Sequence, residues 1–138
     1  MSHIQEMLQT HPIESQLDED LLQACIDACF DCAAVCVICA DACLAEEHVK
    51  ELRECIRTNL DCADICHATG RVLARQTHPS LNLLVSQLTA CATACQVCGD
   101  ICEQHADMHE HCRVCAESCR HCEEVCNRLF QSLPQARA

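Results

Sequence analysis

Cys25, Cys29, Cys32, Cys36, Cys39 and Cys43 follow one another at alternating steps of four and three residues. At the pitch of an α-helix this period places every sulfur on one face. The register returns in Cys91, Cys95, Cys98 and Cys102, again in Cys112, Cys115, Cys119, Cys122 and Cys126, and more sparsely in Cys55, Cys62 and Cys66. In a bundle these stripes occupy the seam where Leu and Ile ordinarily sit. The pattern therefore predicts an all-α fold, an antiparallel up-down four-helix bundle with a core walled by cysteine.

Turn formers support few, long helices. Gly70 and Gly99 are the only glycines and Pro12, Pro79 and Pro134 the only prolines in 138 residues, far fewer than a β-protein of this length needs. The expected helices are A, about 17–45; B, about 47–76; C, about 80–105; and D, about 108–133. Pro79 breaks B from C, and Asp107 with Glu110 reads as an acidic capping pair for D. The turn near Glu46 has neither Gly nor Pro to mark it. Ser2 with Gln5 resembles a capping box, so residues 1–12 form a short extra N-terminal helix, stopped by His11-Pro12, that packs across the outside. The organisation expected is one domain over 1–138, with the bundle at 17–133.

Charge narrows the partners. A formal net charge of −12, with Lys50 the sole lysine, repels phosphate backbones and anionic headgroups, so neither nucleic acid nor a membrane is expected. The N-terminal residues lack a basic stretch followed by an apolar one, and no segment reads as a bilayer span. The expectation is a cytosolic chain, in which thiols stay reduced.

Eighteen cysteines in register are more than small buried hydrophobes require. Intrahelical disulfides are disfavoured, since i,i+3 and i,i+4 neighbours hold Cβ atoms about 5–6 Å apart and a disulfide wants about 3.5–4.5 Å. A soft metal ion bridges such pairs readily. Thiolates select Cu(I), zinc or iron–sulfur clusters. Four-thiolate zinc sites would each leave two surplus negative charges in a core with no Lys or Arg in phase. Cu(I) at about one per thiolate replaces one proton per ion and leaves the core neutral. The ferredoxin run ending in Cys-Pro is missing, as Pro never follows Cys here. The alternative is a zinc or iron–sulfur redox bundle. An enzyme is not expected: no Glu-x-x-His di-iron motif occurs, and no C-x-x-C pair stands apart as a redox site.

The stripes end differently at the two ends of the bundle. One end collects Leu21, Leu73, Leu81, Leu84, Leu88, Leu129 and Leu133, a dry plug. The other collects Cys39, Cys43, Cys55, Cys102 and Cys112 with His48, His105, Met108 and His109. Imidazole and thioether both ligate Cu(I), which makes these four residues candidate ligands of an entry mouth. His67, His111 and His121 adjoin a cysteine in sequence, about 100° off the stripe, and read as surface or flank residues. Asn59 lies in phase between Cys55 and Cys62, as a buried polar group or a minor ligand. On helix A, Ile26, Phe30, Ala33, Val37, Ala40 and Leu44 form another apolar flank, needing either the N-terminal helix or a second copy of the chain to cover it.

Over residues 17–133, the stripe from Cys25 to Cys43 and its partners in helices C and D resemble the four-helix-bundle copper storage proteins, specifically their cytosolic branch. The resemblance implies storage of many Cu(I) ions by thiolates inside the bundle, and assembly as a homotetramer. Helix B has only three cysteines, so the family's ion-by-ion arrangement does not transfer directly.

Overall fold

The computed structural model describes residues 3–134. Helix α1 (His3–Gln9) is followed by four long helices: α2 (Glu19–Leu44), α3 (Arg53–Ala74), α4 (Leu81–Gln104) and α5 (Glu110–Ser132), with a 3-10 turn at Val49–Leu52 before α3. Each long helix packs on two others, α2 on α3 and α5, α4 on α3 and α5, which closes the four into an antiparallel ring. The proposed Ser2 cap lies outside the described residues.

Local chemistry sets the helix ends. Asp18 caps α2, its Oδ1 accepting from the Leu21 N–H at 2.9 Å, and Ser80 caps α4 from just beyond Pro79. The Asp107–Glu110 pair does not cap α5. The N-cap is His109, and the Glu110 carboxylate turns to Arg113. Helix B also starts later than its apolar pattern implies, because residues 45–48 form a turn and the next four wind as a tighter 3-10 coil.

All 18 cysteines are buried and face the bundle axis as free thiols. Leu73, Leu84, Leu88, Leu129 and Leu133 close one end as expected. In the plug Leu22 takes the place assigned to Leu21, which is only half-buried, as is Leu81. Leu22 and Leu21 stand three and four residues before Cys25, and both positions neighbour the stripe. Leu8 of α1 and Leu22 line one cleft together with Leu17 and Gln76, so α1 sits beside the leucine end. There Ser15 donates to Gln76 Oε1 at 2.7 Å, tying the α1–α2 connection to the end of α3.

The second flank of α2 divides. Ile26, Ala33 and Ala40 are buried within the monomer, and Phe30 lies over Gly70 of α3, where an added Cβ would come within 2.9 Å of the ring. Val37 and Leu44, with Ile38 beside them, remain exposed. One expectation requires correction: α2 and α4 are each long and apolar enough to cross a membrane by length and composition. Cys and Ala contribute to the apolar character beside Leu, Ile and Val, and the cysteines of both helices point into the bundle.

Stability in such a core rests heavily on the leucine end, since thiols are small. Leu129→Ala should destabilise the metal-free protein by about 2–5 kcal/mol, read by chemical denaturation, through the cavity it leaves in the plug.

Candidate metal centre

A sulfur stripe on each of four facing helices brings thiols together across the axis as well as along it. Cys25 meets Cys126 at 3.6 Å, Cys66 meets Cys95 at 3.6 Å, Cys36 meets Cys115 at 3.8 Å, and Cys62 meets Cys95 at 4.0 Å. A disulfide needs about 2.05 Å. Two ligands held about 2.3 Å from one metal ion stand about 3.8–4.0 Å apart in tetrahedral or trigonal geometry. The thiols are thus already spaced for a shared ion rather than for a covalent bond.

Donor groups with ligand atoms within 4.8 Å of one another include Cys29, Cys91, Cys122 and Cys126; Cys32, Cys66, Cys95 and Cys122; Cys32, Cys36, Cys62 and Cys119; Cys36, Cys98, Cys115 and Cys119; and Cys39, Cys43, His111 and Cys112. Successive thiol groups share a member, Cys122, then Cys32, then Cys36 with Cys119. The channel is a chain of overlapping sites. The buried polar side chains of the described residues are Asn59, Thr69 and Gln76, and none is cationic. A lone divalent ion in a closed four-thiolate site would leave two negative charges here without a counter-ion; monovalent soft ions filling the overlapping groups at about one per thiolate would leave none.

Asn59 stands in the α3 stripe where a cysteine would complete the register. Its Oδ1 accepts from Cys98 at 3.0 Å, Cys115 at 3.2 Å and Cys102 at 3.5 Å, and its amide donates to Cys55 at 3.7 Å. One amide therefore gathers thiols from three helices. Thr69 marks the other margin of the α3 stripe: its hydroxyl donates to the Ile65 carbonyl at 2.7 Å and accepts from Gln87 at 2.8 Å. Both are fully buried.

Hydrogen bonding and burial pull the thiols apart in acidity. A hydrogen bond from Cys126 holds Cys25 down to about 5, and one from Cys119 holds Cys62 down to about 6. Burial pushes Cys43 and Cys112 up, and the facing Cys39 sulfur adds to the shift. Cys39 itself is held low by hydrogen bonds from Cys102, Cys115 and Cys55.

The open end differs from its sequence reading. His48 is exposed in the turn before the 3-10 coil, with no capping hydrogen bond from its side chain. Met108 is 66% exposed. His105 is half-buried and ends α4, its N–H on the Cys102 and Glu103 carbonyls. His109 is half-buried with Nδ1 2.9 Å from Glu46 Oε2. The imidazole that reaches the thiols is His111, Nδ1 lying 3.4 Å from Cys39 Sγ and 3.6 Å from Cys112 Sγ. Sequence phasing set His111 on the flank. That argument loses force in the first turn of α5, where the channel opens and a long side chain can fold back over its rim. A His beside Cys112 at the start of the last helix was the available signal. Burial alone would lower the His111 pKa, but hydrogen bonds with Cys39 and Glu46 outweigh it and raise the group. His67 packs edge-to-face on Phe30, centroids 5.7 Å apart, on the outside as expected.

Comparison with known proteins agrees with this architecture. The family model described as copper storage protein matches residues 18–131. The structure of the copper storage protein Ccsp from Streptomyces lividans, loaded with 10 copper equivalents, is 49% identical, covers 94% of this chain and 99% of that one, and superposes with a TM-score of 0.92. A structure describing copper loading, with five coppers, to a cytosolic copper storage protein from the same organism is 53% identical, with 83% and 95% covered and a TM-score of 0.81. The uncharacterized cysteine-rich protein YhjQ of Bacillus subtilis is 39% identical over 95 residues, which is 69% of this chain and 82% of that protein. The chain belongs to the copper storage protein family.

Proposed function

We propose that this protein stores Cu(I) as cargo, and that Cys25, Cys29, Cys32, Cys36, Cys39, Cys43, Cys55, Cys62, Cys66, Cys91, Cys95, Cys98, Cys102, Cys112, Cys115, Cys119, Cys122 and Cys126 are its ligands. The observation that carries this reading is the run of overlapping four-donor groups in a core with no buried cation. At the mouth, His111 joins the ligand set on geometry. His105 and His109 border it, while His48 and Met108, both exposed, would serve only as first contacts for an arriving ion. The role is sequestration and supply rather than catalysis, carried by residues 17–133 as one bundle. A cytosolic site of action fits a reduced thiol core, and the Streptomyces lividans relative is described as cytosolic.

Filling exchanges protons for copper. Thiols that burial pushes up, such as Cys43 and Cys112, are protonated at neutral pH and each must lose its proton to bind. Anaerobic Cu(I) titration should saturate at many ions per chain and release up to about one proton per ion, with the thiols held low, Cys25, Cys39 and Cys62 among them, contributing less than the others. Affinity should fall about tenfold per pH unit for each proton displaced as the solution is acidified. Saturation at one or two ions would defeat the storage reading.

Asn59 acts in this reading as the organiser of the thiols near the mouth. Asn59→Ala should destabilise the metal-free protein by about 1–3 kcal/mol in denaturant melts, because the Cys98, Cys102 and Cys115 thiols lose their oxygen acceptor.

The uncovered part of α2 fits self-association. Val37 and Ile38 border a groove with Phe30, Ala34, Ala63 and Ala68 between α2 and α3, and a homotetramer is the assembly the family resemblance implies. Replacing Val37 and Ile38 together by Asp should shift the sedimentation of the protein towards monomer while leaving its helical circular dichroism intact.

A further inference from the structure

Glu46 occupies the turn between α2 and the 3-10 coil, where neither Gly nor Pro shapes the backbone. One oxygen of its carboxylate, Oε2, receives two rings: His111 through Nε2 at 2.8 Å and His109 through Nδ1 at 2.9 Å. The rings lie stacked, centroids 5.4 Å apart. The opposite nitrogen of His111, Nδ1, faces Cys39 and Cys112 within the four-donor group at the mouth.

A neutral imidazole has one N–H and one lone pair, and an ionised carboxylate only accepts. The contact with Glu46 therefore fixes the proton on Nε2, whichever protonation state the ring starts from. The lone pair is left on Nδ1, aimed at the sulfurs. The other tautomer would point an N–H at the arriving ion and leave Nε2 and the carboxylate repelling each other. The same hydrogen bond fixes the swing of the ring, which its place off the cysteine stripe leaves otherwise undetermined. Carboxylates commonly orient metal-binding histidines in this way.

We propose that Glu46 is a positioning residue for copper capture, holding His111 in the tautomer and orientation that present Nδ1 to an ion shared with Cys39, Cys43 and Cys112. This rests on the reading of the channel as a Cu(I) store. His109 has a supporting part, since its second hydrogen bond keeps the Glu46 carboxylate over the mouth. The competing role for Glu46 is a plain tether between the α2 turn and the start of α5.

The test uses the full chain as wild type, Glu46→Ala, Glu46→Gln, His111→Ala and the Glu46→Ala/His111→Ala double variant. Long-range proton–nitrogen correlation of 15N-histidine-labelled, metal-free protein reports the tautomer without copper. It should show His111 protonated on Nε2 in the wild type, a mixture in Glu46→Ala, and recovery in Glu46→Gln, whose amide oxygen still accepts. Competition titration at low Cu(I) should show mouth affinity weakened by about 10–100-fold in Glu46→Ala. The loss should be similar in His111→Ala and no larger in the double variant. An unchanged tautomer in Glu46→Ala, or a loss that persists in full on the His111→Ala background, overturns the proposal in favour of a tether. Wild-type capacity from the same titration judges the storage reading separately.

Discussion

The contact on which the rest of this structure depends is sulfur against sulfur at 3.6–4.0 Å. At that distance thiols neither bond covalently nor fill space as well as leucines would. Each buried cysteine contributes less apolar area than a larger core residue, and the gain from burial scales with that area. The fold compensates at its margins. Leucines seal one end, Ile26, Ala33 and Ala40 pack against the bundle, and Phe30 fits over Gly70. Removing any of these weakens the frame.

Electrostatics then decides what the channel can hold. With no buried Lys or Arg among the described residues, the core tolerates exchange of one positive charge for another far better than accumulation of net charge. The metal-free state already distributes partial charge by hydrogen bonding, with Cys25, Cys39 and Cys62 held low and neighbours such as Cys29 and Cys122 pushed up through the same network. Asn59 serves that network as a neutral acceptor. An aspartate of the same shape would bring a charge that nothing in the channel offsets.

Much of this was legible in the residues. A step pattern of four and three leaves one way to place the sulfurs, and four such stripes leave one way to arrange the helices. The leucine end followed from the same phase, with Leu22 in place of Leu21 and Leu81 only half-buried. What phase does not govern was harder to read. His111 is off-register by about 100°, yet it reaches Cys39 because a helix terminus at a channel rim frees a side chain from the constraint that periodicity expresses. His48 is in phase on paper, but the turn at 45–48 interrupts the helix that would have carried the phase to it. The Asp107 cap failed similarly, because His109 took the N-cap position. The expectation that no segment reads as a span failed for another reason: Cys and Ala count as apolar beside Leu, Ile and Val, so α2 and α4 reach the length and composition of spans although their thiols face the bundle interior.

The overlap of the donor groups sets how such a store would fill. Cys32, Cys36, Cys119 and Cys122 each belong to two groups, so an ion in one group fixes a ligand of the next in its ionised, oriented form. The second ion then meets a site whose proton has already left and whose rotamer is already chosen, which favours clusters over scattered ions. The two ends differ in what they permit. Leu84, Leu88, Leu129 and Leu133 offer no donor at the closed end, whereas the open end carries a nitrogen ligand, an acidic residue and thiols of contrasting acidity within a few ångströms. In the proposed store, a gradient from mixed nitrogen and sulfur donors at the rim to thiols alone further in would draw a soft cation inward without any moving part. In such a store release would depend on a competing ligand at the rim, where Cys43 and Cys112, pushed up by burial, favour their protonated forms.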